Sequence, residues 1–324
     1  MRQAVGKDRM DSIICRWKDT MKKKTAALVI LVSAWLPLVS PACAQQTTDF
    51  TKVEMKTTDL GHRTYMIEGS GGNITAAVGD DGVIMVDGEF APLHDKIKAA
   101  VEAVSKEPIR YLVNTHYHGD HTGGNEGFAK DGAIVTAHVN VRNRLAAGTT
   151  NGLTGVKTPP APEGRLPTKT YTKTLTLKVK GRVAQLKHFA KAHTDGDTYV
   201  YFADANVLST GDIVTLGTRY PNIDFANGGH IDGMIAGVAL YIKLANAKTK
   251  IVPGHGQLTD KAGLTTYRAM LATARDRVAK LIKDGKSLDD AVAAKPLTDI
   301  EQKLGANEKQ SGDFVRLIYH SLKG

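Results

Sequence analysis

The chain has 324 residues, of which 42% are hydrophobic and 23% charged, a composition typical of globular proteins and not of disordered or fibrous ones. Its formal net charge is +10, but residues 1–44 hold eight lysines and arginines against three aspartates, so half of the excess lies there. The rest is only mildly basic, which argues against a nucleic-acid partner. Both cysteines, Cys15 and Cys43, also fall in this stretch. The remaining chain has no thiol, which excludes a disulfide scaffold or a cysteine-based zinc site there.

Residues 21–44 have the pattern of a bacterial export signal. Three lysines after Met21 precede an apolar run, and the run ends in small residues around Cys43. Because the run is shorter than the about 20 residues that cross a bilayer, no transmembrane anchor is expected. We predict a working start at Met21, cleavage after Ala44 and a periplasmic or secreted protein. The Ser-Pro pair before Cys43 is a poor match to a lipobox, which argues against a lipoprotein.

The chain after the leader begins with a pattern typical of an antiparallel meander. Short apolar runs between Gly, Asn and Asp turns predict strands at residues 53–57, 62–68, 74–78 and 83–86. A helix is expected from Pro92 to about Ser105, then a strand at 109–114, a strand at 133–137 and a helix at 139–147.

The second half repeats this order of strands and helices. Strands are predicted at residues 175–179, 183–189, 198–203 and 207–209, a helix at 231–247, a short strand at 251–252 and mostly helix from 259. Residues 149–167 are rich in Gly and Pro, and we interpret them as a surface loop beside the site. Since no polar linker divides the chain, residues 1–44 are assigned to the extension and leader, and residues 45–324 to a single domain.

A cluster of histidines and one aspartate follows the strand predicted at 109–114. Its pattern is His-x-His-x-Asp-His, formed by His116, His118, Asp120 and His121. In an extended segment His116 and His118 point the same way and reach one ion, whereas Asp120 and His121 follow a glycine at which the chain can turn toward a second. Imidazole and carboxylate ligands without sulfur are typical of catalytic zinc sites.

A metal site of this kind needs further ligands from elsewhere in the chain. His193 lies in a turn between predicted strands, Asp212 ends the strand at 207–209, and His255 follows the strand at 251–252. Taken singly, each residue is better explained as an ordinary turn residue, since a lone turn histidine is more often solvated and Asp after Gly commonly forms a turn. Their shared context at strand ends makes them candidates.

These residues, in this order, resemble the metallo-β-lactamase-fold hydrolases. The resemblance covers nearly the whole chain after the leader and implies an α/β fold, a four-layer αβ/βα sandwich with two facing mixed sheets and helices outside. It implies a first zinc on His116, His118 and His193, a second on Asp120, His121 and His255, and Asp212 as the bridge. It also implies that Asp87, at the end of the strand at 83–86, holds the histidine loop. Iron or manganese could occupy the same nitrogen and oxygen ligands.

The resemblance implies a hydrolase of a small-molecule substrate whose two zinc ions activate water as hydroxide, with Asp120 and Asp212 as the catalytic carboxylates. Our first hypothesis is an exported enzyme that opens an amide, thioester, ester or lactone carbonyl. A β-lactamase is the first alternative, although Asp212 resembles the bridging residue of glyoxalase II-like enzymes, which dedicated β-lactamases usually lack. A phosphodiesterase or nuclease is the second, and a non-catalytic zinc-binding protein the third. Tyr117, Tyr220 and His230 are candidates for substrate contact, although packing is the favoured explanation for Tyr117 and a position near a helix N-terminus for His230.

Overall fold

The structure, a computed structural model, describes residues 48–324; the predicted leader and both cysteines lie outside these residues. The strands are β1 (Lys56–Asp59), β2 (Thr64–Glu68), β3 (Ile74–Val78), β4 (Val83–Val86), β5 (Ile109–Val113), β6 (Ile134–His138), β7 (Thr149–Thr150), β8 (Lys157–Thr158), β9 (Lys169–Tyr171), β10 (Thr174–Val179), β11 (Arg182–His188), β12 (Thr198–Phe202), β13 (Val207–Ser209) and β14 (Lys250–Val252). The helices are α1 (His94–Val104), α2 (Gly119–Thr122), α3 (Asn125–Lys130), α4 (Val139–Ala147), α5 (Ile231–Leu244), α6 (Lys261–Lys283), α7 (Leu288–Ala293), α8 (Thr298–Leu304) and α9 (Glu308–Lys323).

The strands form two mixed sheets and a small hairpin. The first sheet has the order β1-β2-β3-β4-β5-β6-β9, and the second has the order β10-β11-β12-β13-β14. The meander β1 to β4 is antiparallel, as the turns predicted, whereas β4, β5, β6 and β9 run parallel. In the second sheet only β13 and β14 are parallel. The hairpin of β7 and β8 lies within the predicted loop at 149–167.

Three apolar cores separate four layers, which is the predicted sandwich. Alternation along β4 shows how one strand serves two cores: Ile84 and Val86 face the second sheet, and Val83 and Met85 face α1 and α3. The third core joins the second sheet to α5, α6 and α9. Because both faces of each sheet are covered, the central strands are apolar throughout.

The long helix α6 follows the apolar spacing of the sequence. Tyr267, Leu271, Ala274 and Val278 are buried, and they lie on the stripe that packs against α5 and α9. Among residues 48–324, no helix is long and apolar enough to cross a bilayer.

Several elements differ from the prediction, among them the start of the first strand, the strand β9 and the hairpin of β7 and β8. The strand expected at 53–57 was wrong in its start, since a short 3-10 helix (Phe50–Lys52) precedes β1. Lys96 donates hydrogen bonds to the carbonyl oxygens of Phe50, Thr51 and Val53, and these bonds hold the segment away from the strand. The strand β9 was missed. Two of its three residues are exposed, and a run this short has no recognisable periodicity.

Candidate metal centre

Six of the seven candidate ligands lie on loops that leave the carboxyl ends of parallel strands. The loop after β5 carries His116 and His118 and leads into α2, whose first turn holds Asp120 and His121. Strands β4 and β5 are parallel in the first sheet, and β13 and β14 are parallel in the second. The carboxyl ends of each parallel pair therefore lie side by side at one edge of their sheet. Asp212 lies in the 3-10 helix after β13, and His255 follows β14. His193 lies in the turn between β11 and β12.

A first group consists of three imidazoles and one carboxylate. His118 Nδ1 lies 3.1 Å from His116 Nε2 and 3.0 Å from His193 Nε2. Asp212 Oδ2 lies 4.0 Å from His116 Nε2 and 3.7 Å from His193 Nε2. Ligand atoms at 2.0–2.2 Å from one tetrahedral ion lie about 3.3–3.6 Å from each other, so these four side chains have the spacing of a metal site.

A second group lies directly beside the first. His255 Nε2 lies 3.3 Å from His121 Nε2 and 3.2 Å from Asp120 Oδ2. Asp212 also faces this group, with Oδ2 3.4 Å from His255 Nε2 and Oδ1 3.2 Å from His121 Nε2. Although it is this close, Asp212 Oδ1 is buried and accepts no well-aligned hydrogen bond from residues 48–324. A buried anionic oxygen without a donor fits a cation held between the two groups.

The outer nitrogens of His118, His121 and His193 are each held by an oxygen atom of the surrounding chain. Asp87 Oδ2 lies 2.8 Å from His121 Nδ1, and the carbonyl oxygen of Asn222 lies 2.9 Å from His193 Nδ1. Asp224 Oδ2 lies 3.0 Å from His118 Nε2. A ring N–H that donates to each oxygen leaves the other nitrogen free to bind a metal, which is the usual arrangement of metal-binding histidines.

The predicted role of Asp87 has a clear geometric basis. Its carboxylate accepts hydrogen bonds from Thr115 N at 2.8 Å and Thr115 Oγ1 at 2.7 Å, in addition to its contact with His121. Asp87 is buried and has a positive φ of 62°. The strand end therefore fixes both the start of the histidine loop and the orientation of one ring.

Asp224 was missed by the sequence analysis. Besides His118, its carboxylate accepts hydrogen bonds from the Tyr117 hydroxyl and from Asn227 Nδ2. Asp224 is 106 residues from His118 and belongs to no spaced motif, so a local pattern gives no signal for it. Tyr117 is buried and donates to this carboxylate, which favours packing over substrate contact.

Burial and charge set the protonation of the candidate ligands. Burial lowers the pKa of His193 to about 4, so this ring is neutral at pH 7 and can ligate. Burial also opposes the charged form of His255, but Asp212 and Asp120 outweigh it and raise the pKa to about 9. For Asp212, the charges of His255 and His121 outweigh burial and hold the pKa well below its usual range. Positive charge beside Asp212 therefore stabilises its ionised form.

A glycine-rich turn between β2 and β3 lies against the second group. Ser70 N and Gly71 N donate to Glu89 Oε2 at 3.0 and 2.7 Å, and Gly72 N donates to the Asp120 carbonyl at 3.0 Å. A Cβ on Gly72 would overlap the His121 ring. The glycines predicted as a turn therefore also allow the backbone to approach a candidate ligand closely.

The last residue of that turn joins it to the loop of His255. Asn73 Nδ2 donates to the carbonyl oxygens of Pro253 at 2.9 Å and Gly256 at 2.8 Å. This contact links the two sheets across the site, and no sequence pattern predicted it.

Two other sequence candidates lie apart from the seven ligand-type residues. Tyr220 stacks on Phe314 at a ring distance of 4.7 Å, yet it also lines the open cleft above Asp120, Asp212 and His255. His230 caps α5, since its Nδ1 accepts from Asp232 N at 3.1 Å. Tyr220 stays a candidate for substrate contact, whereas His230 has a structural role.

Residues 67–264 match the family model of the metallo-beta-lactamase superfamily. The chain belongs to this superfamily. Members of the superfamily include hydrolases with a metal site, and the clustered histidines and aspartates support a metal cofactor here.

Individual relatives match parts of the chain. A stretch of 170 residues, 51% of this chain, is 27% identical to the 2,4-dinitroanisole O-demethylase subunit alpha of Nocardioides sp. (strain JS1661) and covers 48% of that protein. An alignment 234 positions long, which covers 61% of this chain, is 27% identical to the linear primary-alkylsulfatase of Pseudomonas sp. (strain ATCC 19151) and covers 44% of it. The matches thus span about half the length of these relatives. The metallo-beta-lactamase from Pontibacter korlensis superposes with a TM-score of 0.55 at 16% identity, over 68% of this chain and 99% of that one, and shows the same fold.

Proposed function

We propose that this protein is an exported dinuclear zinc hydrolase that opens an amide, thioester, ester or lactone carbonyl. The observation that carries the proposal is the arrangement of seven side chains in two adjacent groups, with Asp212 facing both. Two ions bound at this spacing would supply Lewis acidity and an activated water at neutral pH. Zinc is favoured because the donors are imidazole nitrogens and carboxylate oxygens at tetrahedral spacing.

The side chains divide the work by their exposure. His116, His121 and His193 are at most 1% exposed and serve only to hold metal, whereas the Asp120 side chain is 29% exposed and faces the cleft. Asp120 is therefore the carboxylate that can both ligate and accept a hydrogen bond from the attacking water. Asp212, at 10% exposure, holds the two groups at a fixed separation.

Sulfate-ester hydrolysis is the second candidate function. It is favoured by the similarity to the alkylsulfatase and by Arg219, which lines the same cleft as Asp212 and His255. No carboxylate within residues 48–324 pairs with Arg219 at 4 Å or less, so its charge is available to a sulfate oxygen.

The test is metal analysis of purified protein followed by turnover assays with a thioester, a lactone, nitrocefin and an alkyl sulfate. We expect two zinc ions per chain and turnover of the thioester or lactone that is lost in His116→Ala. Turnover of the alkyl sulfate alone would support the second candidate. Two bound metals without turnover of any of these substrates would contradict both and favour a binding protein.

Export is a separate part of the proposal and rests on the pattern of residues 21–44. We expect the protein in the periplasmic fraction of a bacterial host, with Gln45 as its first residue. Replacing the three lysines after Met21 by glutamate should retain the unprocessed chain in the cytoplasm. N-terminal sequencing of each fraction would reveal a different cleavage site or none.

A further inference from the structure

A second cavity adjoins the metal centre on the side of His118. It has a volume of about 250 Å³ and reaches the hairpin of β7 and β8. Its lining is partly apolar, from Leu145, Pro159 and Ala161, and also includes two arginines, Arg144 and Arg165. His118, Gly119, Asn151 and Asn222 line both this cavity and the cleft above Asp212. A bound molecule can therefore reach from the metal centre into the cavity.

The two arginines differ in their partners. Arg144 Nη2 lies 2.7 Å from Asp195 Oδ2, so its charge is compensated. Arg165 donates from Nε to the Thr122 carbonyl at 3.1 Å and from Nη2 to Thr122 Oγ1 at 2.8 Å, both uncharged acceptors. Within residues 48–324, Arg165 has no carboxylate at 4 Å or less, and no hydrogen bond engages its Nη1.

Partial burial of Arg165 makes the lack of a charged partner energetically unfavourable. The side chain is half-buried, and burial lowers its pKa. Buried charges in proteins are normally paired, and an unpaired guanidinium that lines a cavity has donors left for a ligand. A Cβ on Gly119 would lie 3.6 Å from Arg165 Nη2, which places the guanidinium directly beside the loop between His118 and Asp120.

We propose that Arg165 binds an anionic oxygen group of the substrate, such as a carboxylate, which is remote from the bond that is cleaved. The substrate is then a small acid whose apolar part lies against Leu145, Pro159 and Ala161. The planar guanidinium presents paired donors that match the oxygens of a carboxylate or a sulfonate, and its two existing bonds to Thr122 fix its orientation. This inference rests on the proposed function, because it assumes that the reacting carbonyl lies at the metal centre.

The test compares two matched substrates with two matched variants. The substrates are mono-p-nitrophenyl adipate, which ends in a carboxylate, and its terminal primary amide. Arg165→Gln removes the charge, and Arg142→Gln is the control, since Arg142 holds the Pro167 carbonyl of the same loop at 3.3 Å without lining the cavity. Arg165→Lys keeps the charge without the paired donors.

We expect Arg165→Gln to lower kcat/KM about 10- to 100-fold for the acid, mainly through KM, and to leave the amide nearly unchanged. Arg165→Lys should restore part of the loss, and Arg142→Gln should not discriminate between the substrates. An equal loss for both substrates would assign Arg165 a structural role at Thr122 and overturn the proposal, as would no loss for either. A sulfonate in place of the carboxylate tells whether a tetrahedral oxyanion is accepted equally well.

A binding measurement separates this inference from the proposed function. Zinc-loaded wild-type protein should bind adipate more tightly than adipamide by calorimetry, and Arg165→Gln should reduce the ratio of the two affinities at least tenfold, because only binding of a carboxylate to zinc then remains. If neither ester is turned over, the proposed carbonyl chemistry is wrong, but the adipate comparison still tests Arg165. Equal affinity for adipate and adipamide in the wild type would overturn the inference alone.

Discussion

Asp224 Oδ2 lies 3.0 Å from His118 Nε2, although the two residues are 106 positions apart in the chain. Of the four imidazoles whose outer nitrogen has a polar neighbour, His118 is the one that presents Nδ1 to its group, while His116, His121 and His193 present Nε2. Asp224 thus selects the tautomer of His118, and it does so from the loop that precedes α5.

Replacing Asp224 by alanine should weaken metal binding at the first group. The change removes the acceptor of His118 Nε2–H, and loss of such a partner typically costs about 10- to 100-fold in metal affinity. Competition with a chelating dye measures the effect. Tyr117→Phe is the control, because it removes the hydrogen bond from the Tyr117 hydroxyl to Asp224 and leaves the contact with His118 in place. Wild-type zinc affinity in Asp224→Ala would contradict this role.

Asp120→Asn should lose a larger fraction of its hydrolytic activity than of its bound zinc. The exposed carboxylate is expected to orient the attacking water in addition to ligating, and an amide can ligate weakly but cannot accept the proton. The measurement is kcat under saturating zinc together with the zinc content of the variant. Equal losses of the two would show that Asp120 is a ligand only.

Removal of metal should lower the melting temperature as well as abolish turnover. Both groups bring carboxylates and imidazoles into a buried site, and a ligand at about 1,000 times its Kd stabilises the native state by about 4 kcal/mol. For a domain of this size that corresponds to a shift of roughly 10 °C. Calorimetry before and after dialysis against a chelator measures it, and readdition of zinc should restore both properties. Full activity after exhaustive chelation would exclude a metal-dependent reaction.

Gly72→Ala should impair the second group specifically. The added Cβ would overlap the His121 ring, so either the glycine turn or the ring must move. We expect a lower zinc affinity and a lower kcat than in the wild type, and a change in melting temperature that is smaller than the change on complete removal of metal. Gly312→Ala in α9 is the matched control, since its Cβ would lie 3.4 Å from Val292 Cγ1 and far from the ligands. The prediction is wrong if both variants bind zinc equally well.

Local sequence patterns predicted those parts of the fold and site that depend on neighbours in the chain. The strand at 83–86 and the buried positions of α6 follow from alternation and helical spacing. The motif at 116–121 could be recognised because four residues that can bind a metal, three histidines and one aspartate, lie within six positions. His193, Asp212 and His255 needed the family resemblance, since each alone is an ordinary turn residue.

The parts that were missed depend on tertiary contacts. Asp224 and Asn73 meet their partners only after the two sheets are stacked, and neither belongs to a spaced motif. The start of the first strand was misplaced because Lys96, far along the chain, draws the carbonyl groups of residues 50–53 toward α1. Arg165 is distinguished by the absence of a partner within the described chain, which composition cannot reveal.

The candidate ligands around Asp212 come from both halves of the fold, so metal binding would hold the two sheets together. His116, His118, Asp120 and His121 follow the first sheet, whereas Asp212 and His255 follow the second, so neither half holds a complete set of donors. Bound ions would cross-link the two sheets. A fragment that ends before residue 207 lacks Asp212 and His255 and should be unable to bind both metals. The complete site forms only after the last strand of the second sheet has folded.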